Sequence, residues 1–173
     1  FLSNYVKKFK IDVSFVDITD LDEVRNAIRP KTKVIYTETM TNPLLQISDL
    51  PALGRLAGEH GVQLVVDNTF TPLMVAPLAL GAHVVVHSMT KFINGKNDCV
   101  AGAICASKAF VDALSDVNAG TAMLLGPALD PLRSASILKN LHTLHIRMKQ
   151  HSKNALYLAT RLKARGVPIV YPG

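Results

Sequence analysis

Two short runs constrain this fold more than anything else in the chain. "VQLVVD" (62–67) and "HVVVH" (83–87) are apolar at nearly every position rather than at every second one. A strand wetted on one side alternates. A strand apolar throughout belongs to a sheet covered on both faces, as parallel sheets with crossover helices are. "IDVSFVDIT" (11–19) and "TKVIYTE" (32–38) read as earlier strands, and "VAGAICA" (100–106) as a later one. Helical signals fill the gaps. Asp20 and Glu23, spaced as in a capping box, open a short helix to Ile28, and Pro30 closes it. Ser48 or Asp49 caps a second helix with Pro51 in its first turn, and Gly61 ends it. A third, short helix is expected around Val75–Leu80. The expected fold class is α/β: a mainly parallel sheet with helices on both faces.

The last third has a different character. From Asp130, an N-cap before Pro131, to Gly166 there is no helix breaker, and Leu138, Leu141, Leu144, Met148, Ala155, Ala159 and Leu162 recur at helical spacing. One helix of roughly 50 Å is expected, straight or bent. "VPIVYPG" (167–173) then starts a further strand. The chain therefore divides into a core, 1–130, and a segment, 131–173, made of a connecting helix and the start of a second domain.

Charge follows the same division. Residues 1–130 carry 11 Lys/Arg against 13 Asp/Glu; residues 131–173 carry 8 Lys/Arg and no acid. A basic tail can bind nucleic acid. No aromatic residue is interleaved with these cations before Tyr157, so a solvated helix face is the better reading, and no nucleic-acid partner is expected. Cys99 and Cys105 are too few for a disulfide framework and read as buried thiols. The longest apolar stretch, Leu73–Val86, is broken by Pro77, Gly81 and His83 and is too short to span a bilayer, so no membrane partner is expected. The chain opens on Phe1 rather than Met, which points to a central piece of a longer protein.

In parallel sheets, ligands bind beyond the carboxyl ends of the strands. Glu38, Asp67 and Ser88 each fall at such an end, and Lys91 follows Ser88 by three residues. All four should share one rim. A partly desolvated lysine near a helix dipole or another cation is a nucleophile towards carbonyls. Ser88 and Thr90 offer hydroxyls that, with turn N–H groups, suit a phosphate. A phosphate site beside a nucleophilic lysine suggests pyridoxal 5'-phosphate, and Asp67 could then hold the proton on the ring nitrogen. Alone, Asp67 could equally be an N-cap. The pairs His83/His87 and His142/His145 lack a third ligand and carry no metal reading. The five methionines form no stripe and read as packing residues.

Three motifs in register make a resemblance. "ETMTNP" (38–43), "VVDNTFTP" (65–72) and "VVVHSMTKFINGKND" (84–98) resemble the Cys/Met-metabolism, or transsulfuration, family of pyridoxal-phosphate enzymes, and "LHTLHIRMKQHSKNA" (141–155) looks like its long-helix segment. The resemblance covers nearly the whole chain. It implies the large domain of the aspartate-aminotransferase type (fold type I), incomplete here, with 1–130 as its cofactor-binding core. It implies that Lys91 forms the Schiff base with the cofactor and later shuttles protons. Asp67 would pair with the pyridinium, Ser88 and Thr90 would bind the phosphate, and Asn42 would contact the phenolic oxygen and the substrate. Glu38 receives no chemical step.

The sequence also departs from the family pattern. Met89 stands at a usually small position and Lys96 where histidine is common. Lys139, Asn140 and His142 replace the usual arginine, glycine and lysine. With "GTAMLLGP" (120–127), these look most like plant-type methionine gamma-lyases. The implied activity is carbon–sulfur cleavage in a small sulfur-containing amino acid, methionine giving methanethiol, 2-oxobutanoate and ammonia. Cystathionine gamma-synthesis, cystathionine beta- or gamma-cleavage, and a non-catalytic oligomerising fragment are the alternatives. The resemblance further implies a homotetramer built of active dimers, and a cytoplasmic or plastid location. It puts the phosphate loop, the ring-stacking aromatic and the substrate-carboxylate arginine outside this chain.

Overall fold

The structure is a computed structural model that describes residues 4–172. One sheet of four strands runs in the order β1 (Val34–Glu38), β2 (Gln63–Asp67), β3 (Val84–Ser88), β4 (Gly102–Ala106). The first three are parallel, and β4 is antiparallel to β3. The reversal of β4 has a plain cause. A parallel partner needs a crossover long enough to return the chain to the other end of the sheet. Residues 89–101 form turns instead, and the chain folds straight back.

Helices α1 (Leu21–Ala27) and α2 (Leu50–His60) precede and follow β1. The Asp20 carboxylate accepts from the N–H groups of Asp22 and Glu23, which opens α1. Of the two cap candidates for α2, Asp49 does the work, accepting from Ala52 N–H, while Gly61 adopts the left-handed C-cap. Leu50, Leu53, Leu56 and Ala57 lie on one side of α2 and pack with Ile35, Leu64, Val66 and Val85 of the sheet. Leu53, Leu64 and Val66 are wholly buried. Each such side chain contributes about 1.5–3 kcal/mol by leaving water. A one-residue slip of any strand would turn this set to the opposite face, so burial pins the register.

Register also defines that opposite face. Cross-strand partners point the same way, so Val34, Tyr36, Glu38, Gln63, Val65, Asp67, Val84, Val86 and Ser88 share it. Val34 and Tyr36 on it are about half exposed.

Several expectations change. Residues 11–19 form no strand. Their apolar positions run 11, 13, 15 and then slip phase to 16, 18, so no single face is offered to a partner. Val16 and Ile18 pack at the core margin, while Ile11 and Phe15 stay exposed. The helix expected near Val75–Leu80 is a 3-10 turn, Pro77–Leu80. After β4 come two short helices for which no expectation was formed, α3 (Lys108–Leu114) and α4 (Thr121–Leu125). The long helix is two: α5 (Pro131–Leu141) and α6 (Leu144–Ala164). Thr143 makes the break. Its Oγ1 donates to the Asn140 carbonyl at 3.0 Å, an alternative to the helical ladder that a β-branched hydroxyl residue readily takes. Residues 167–172 form no strand, and Gly173 lies outside the described residues.

Candidate active site

The carboxyl ends of β1, β2 and β3 come together as parallel strands require. Glu38 is the register partner of Asp67, Asp67 that of Val86, and Ser88 lies two residues further on. Glu38, Asp67 and Ser88 therefore stand on one rim and one face.

Asp67 is held from two sides. Its Oδ1 accepts from Thr69 N–H at 2.8 Å, and its Oδ2 accepts from the Tyr36 hydroxyl at 3.2 Å. Burial pushes the Tyr36 phenol up to about 12, with the Asp67 charge and hydrogen bond and the Glu38 charge acting in the same direction. Tyr36 thus stays a neutral donor, and the Asp67 carboxylate keeps lone pairs to spare. Behind it lies the His87 imidazole, whose Nδ1 is buried without a hydrogen-bond partner. Burial lowers the basicity of His87, against the pull of the Asp67 charge.

The loops that leave the strands rest on buried polar contacts. Asn68, next to Asp67, accepts through Oδ1 from the hydroxyls of Thr39 (2.9 Å) and Thr71 (2.6 Å) and donates through Nδ2 to Val75 O. The Ser48 hydroxyl donates to Glu38 O at 2.7 Å. Thr69 Oγ1 accepts from Ser88 N–H at 2.7 Å, so one residue fixes both Asp67 and the end of β3. The Glu38 carboxylate accepts from Asn42 N–H at 3.0 Å, which gives that glutamate a role in shaping the turn.

Lys91 sits in a compact turn. Its N–H donates to Ser88 O, Asn94 N–H to Met89 O, and Gly95 N–H to Lys91 O. Contrary to the partial desolvation expected, Lys91 is exposed, and its amine has no hydrogen bond or ion pair among the described residues. Ser88 Oγ likewise has no hydrogen bond among them. The Thr90 hydroxyl is occupied: it accepts from Ala101 N–H (3.0 Å) and donates to Ala101 O (3.3 Å), stitching the Lys91 turn to the approach of β4. The Asn42 side chain is exposed at the end of the β1 loop.

An acid at a strand end, a hydroxyl on the same rim and an exposed amine three residues later agree with the comparison to known proteins. A profile of the Cys/Met metabolism PLP-dependent enzymes matches residues 1–173. The chain belongs to this family. A methionine gamma-lyase of Arabidopsis thaliana is 44% identical over 164 residues, 94% of this chain and 37% of that protein. A cystathionine beta-lyase of Staphylococcus haemolyticus is 44% identical over 172 residues, 97% of this chain and 43% of that protein. Among solved structures, a cystathionine gamma-lyase from Lactobacillus plantarum complexed with L-serine superposes with a TM-score of 0.86 at 35% identity, covering 92% of this chain and 41% of that one. The chain thus spans less than half the length of these relatives. The family depends on pyridoxal phosphate, and the superposition bears out the fold type I reading.

Sequence reasoning passed over Tyr36, Asn68 and Thr69. Tyr36 was within reach, since period two puts it on the face of Glu38. Asn68 and Thr69 were quoted inside "VVDNTFTP" but given no part, because nothing local says that two loops will meet there. His83 takes a backbone role, its Nδ1 accepting from Leu64 N–H at 3.0 Å. A shallow hollow between α1 and α2 is lined by Arg25, Arg55 and Glu59 and touches none of the site residues. Among the described residues no helix is long and apolar enough to cross a membrane.

Proposed function

We propose that this chain is the cofactor-binding part of a pyridoxal-phosphate-dependent carbon–sulfur lyase acting on a small sulfur amino acid, with methionine as the preferred substrate. The observation that carries the reading is the Asp67 carboxylate. Both its oxygens are oriented by neutral donors, and it faces the same way as Ser88 at the strand edge that leads into Lys91. This donor set fits the cofactor: an acid for the ring nitrogen, a primary amine for the aldehyde, hydroxyls for the phosphate.

Each residue has a part. Lys91 is the covalent anchor and, once displaced by the substrate amine, the base that takes the α-proton. Asp67 keeps the proton on the ring nitrogen, and Tyr36 and Thr69 hold Asp67 in place. Ser88 offers the phosphate a hydroxyl with no competing bond among the described residues. Thr90 has less to give, since its proton is directed to Ala101 O. Asn42 reaches the phenolic oxygen and the substrate. When bound, the cofactor supplies the electron sink for charge developing beside the amino group. The net reaction consumes methionine and water and yields methanethiol, 2-oxobutanoate and ammonia.

Residues 1–130 act as the cofactor-binding core and 131–173 as the link to a second domain. The active form is a homotetramer in the cytoplasm. The similarity to cystathionine lyases supports cystathionine as a second substrate. The test uses the full-length protein. Added cofactor, reduced in place with borohydride and followed by peptide mapping, should label Lys91. 2-Oxobutanoate should form faster from methionine than from cystathionine. Label on another residue sinks the site; faster release from cystathionine reverses the substrate order.

A further inference from the structure

The Lys91 turn is gripped from outside the sheet. Arg147, on the first turn of α6, directs four hydrogen bonds at its surroundings. Nη1 donates to Phe92 O, Nη2 to Ile93 O (2.9 Å) and Asn140 O (3.2 Å), and Nε to Thr143 Oγ1 (3.1 Å). No carboxylate pairs with this guanidinium among the described residues. Its acceptors are the two carbonyls that directly follow Lys91 and two groups at the α5–α6 break. One turn further along α6, the His151 ring meets the Phe92 ring edge-on at 5.6 Å, and Phe70 meets it from another side at 5.9 Å. Below the arginine, buried Asn140 donates to buried Asn94 at 2.8 Å, and Asn94 donates to Asp98 at 2.7 Å. Gly95 completes the seat: a Cβ there would lie 2.5 Å from Nη1, and its φ of +70° already favours glycine.

We propose that Arg147 is the positioning residue for Lys91. Its planar fork ties the peptide groups after the lysine to the break between α5 and α6, so the aim of the exposed amine is set by those helices. This rests on the reading of Lys91 as the cofactor anchor. The choice of arginine follows from geometry. A rigid, multi-pronged cation can span carbonyls on two segments, whereas an ammonium is a single point that cannot hold them in one plane. Lys91 has no side-chain bond of its own among the described residues, so its placement depends on the turn that carries it.

The test uses the full-length protein and the variants Arg147→Gln and Arg147→Lys. In the cofactor-free state, hydrogen exchange at the Asn94 and Gly95 amides, which close the turn, should quicken roughly tenfold in Arg147→Gln while the β2 amides keep their protection. With cofactor, kcat should fall about 10²-fold with KM nearly unchanged, as expected for a displaced reacting group. Arg147→Lys should recover only part of both losses. Borohydride labelling of the wild type separates the two readings. If Lys91 is not labelled, the proposed function fails and this inference with it. If Lys91 is labelled but Arg147→Gln exchanges and turns over like the wild type, the positioning role alone is refuted. A rise in β2 exchange equal to that of the turn also refutes it, by making Arg147 a general scaffold residue. Should Arg147→Gln not fold, Arg147→Lys decides: wild-type exchange and kcat there overturn the proposal.

Discussion

Replacing Tyr36 by phenylalanine removes one oxygen and tests the most specific electrostatic feature of the site. Tyr36 donates to Asp67 at 3.2 Å, and its pKa rises from 10.0 to about 12. Burial is the largest cause, followed by the Asp67 charge. The sign follows from linkage. A group whose folded pKa is raised contributes stability that is complete below its unfolded value and disappears as pH climbs through the folded one. The contribution should therefore be constant up to about pH 10 and vanish between about 10 and 12. Two units correspond to about 2.7 kcal/mol. Tyr36 is 48% exposed, so solvent screening reduces this to about 1 kcal/mol. Two measurements on the full-length protein check it. The difference in tyrosinate absorbance between wild type and Tyr36→Phe isolates one phenol, which should ionise well above the ordinary value. Urea unfolding should show the wild type about 1 kcal/mol more stable at neutral pH, with the gap closing as pH approaches 12. A Tyr36 that ionises near 10, or a gap that does not change with pH, would refute the account of how Asp67 is held.

Three further outcomes follow from other parts of the structure. Gly54→Ala should destabilise by about 1–3 kcal/mol in urea unfolding, because the added Cβ would stand 2.9 Å from Gly81 Cα, a backbone atom that cannot turn aside. Thr69→Val should cost about 1–2 kcal/mol by the same assay, since Ser88 N–H loses its acceptor; it should also weaken cofactor retention measured by visible absorbance. Burial lowers the His87 pKa, so the unfolded chain takes up a proton first as pH falls. Stability should therefore decline below about 6.5, and His87→Gln should flatten that decline in a pH series of thermal melts.

How far such features can be read in advance depends on whether they are local. Asp20, Asp49 and Gly61 act at helix ends through bonds two to four residues away, and the caps stand where the sequence puts them. β2 and β3 are legible because burial on both sides leaves no polar position to confuse the period. Residues 11–19 fail for the converse reason: the phase slip at Phe15–Val16 is visible in the letters, but a high β-branched content hides it. The break at Thr143 needs a competing hydrogen bond as well as a weak propensity, and the partner that rewards it, Arg147, is four residues on. The turn direction of β4 depends on what residues 89–101 do, and apolar periodicity is silent there.

The site follows the same logic with higher stakes. Its four rim residues were found by a topological rule, that strand ends in a parallel sheet converge, and this needs no contact to be known. What holds those residues could not be found so. The hydrogen bonds from Tyr36 to Asp67, from Ser88 to Thr69 and from Arg147 to Phe92 join positions 31, 19 and 55 residues apart. Each is a polar group satisfied by a distant segment, and single-sequence pattern carries almost no information about such pairs. The reactive groups are thus the readable part of this molecule, and the supports that aim them are what the coordinates add. Substitutions at the supports should accordingly shift rate and ionisation more than they shift cofactor identity. The chemistry belongs to Lys91 and Asp67, whereas the geometry belongs to Tyr36, Thr69 and Arg147.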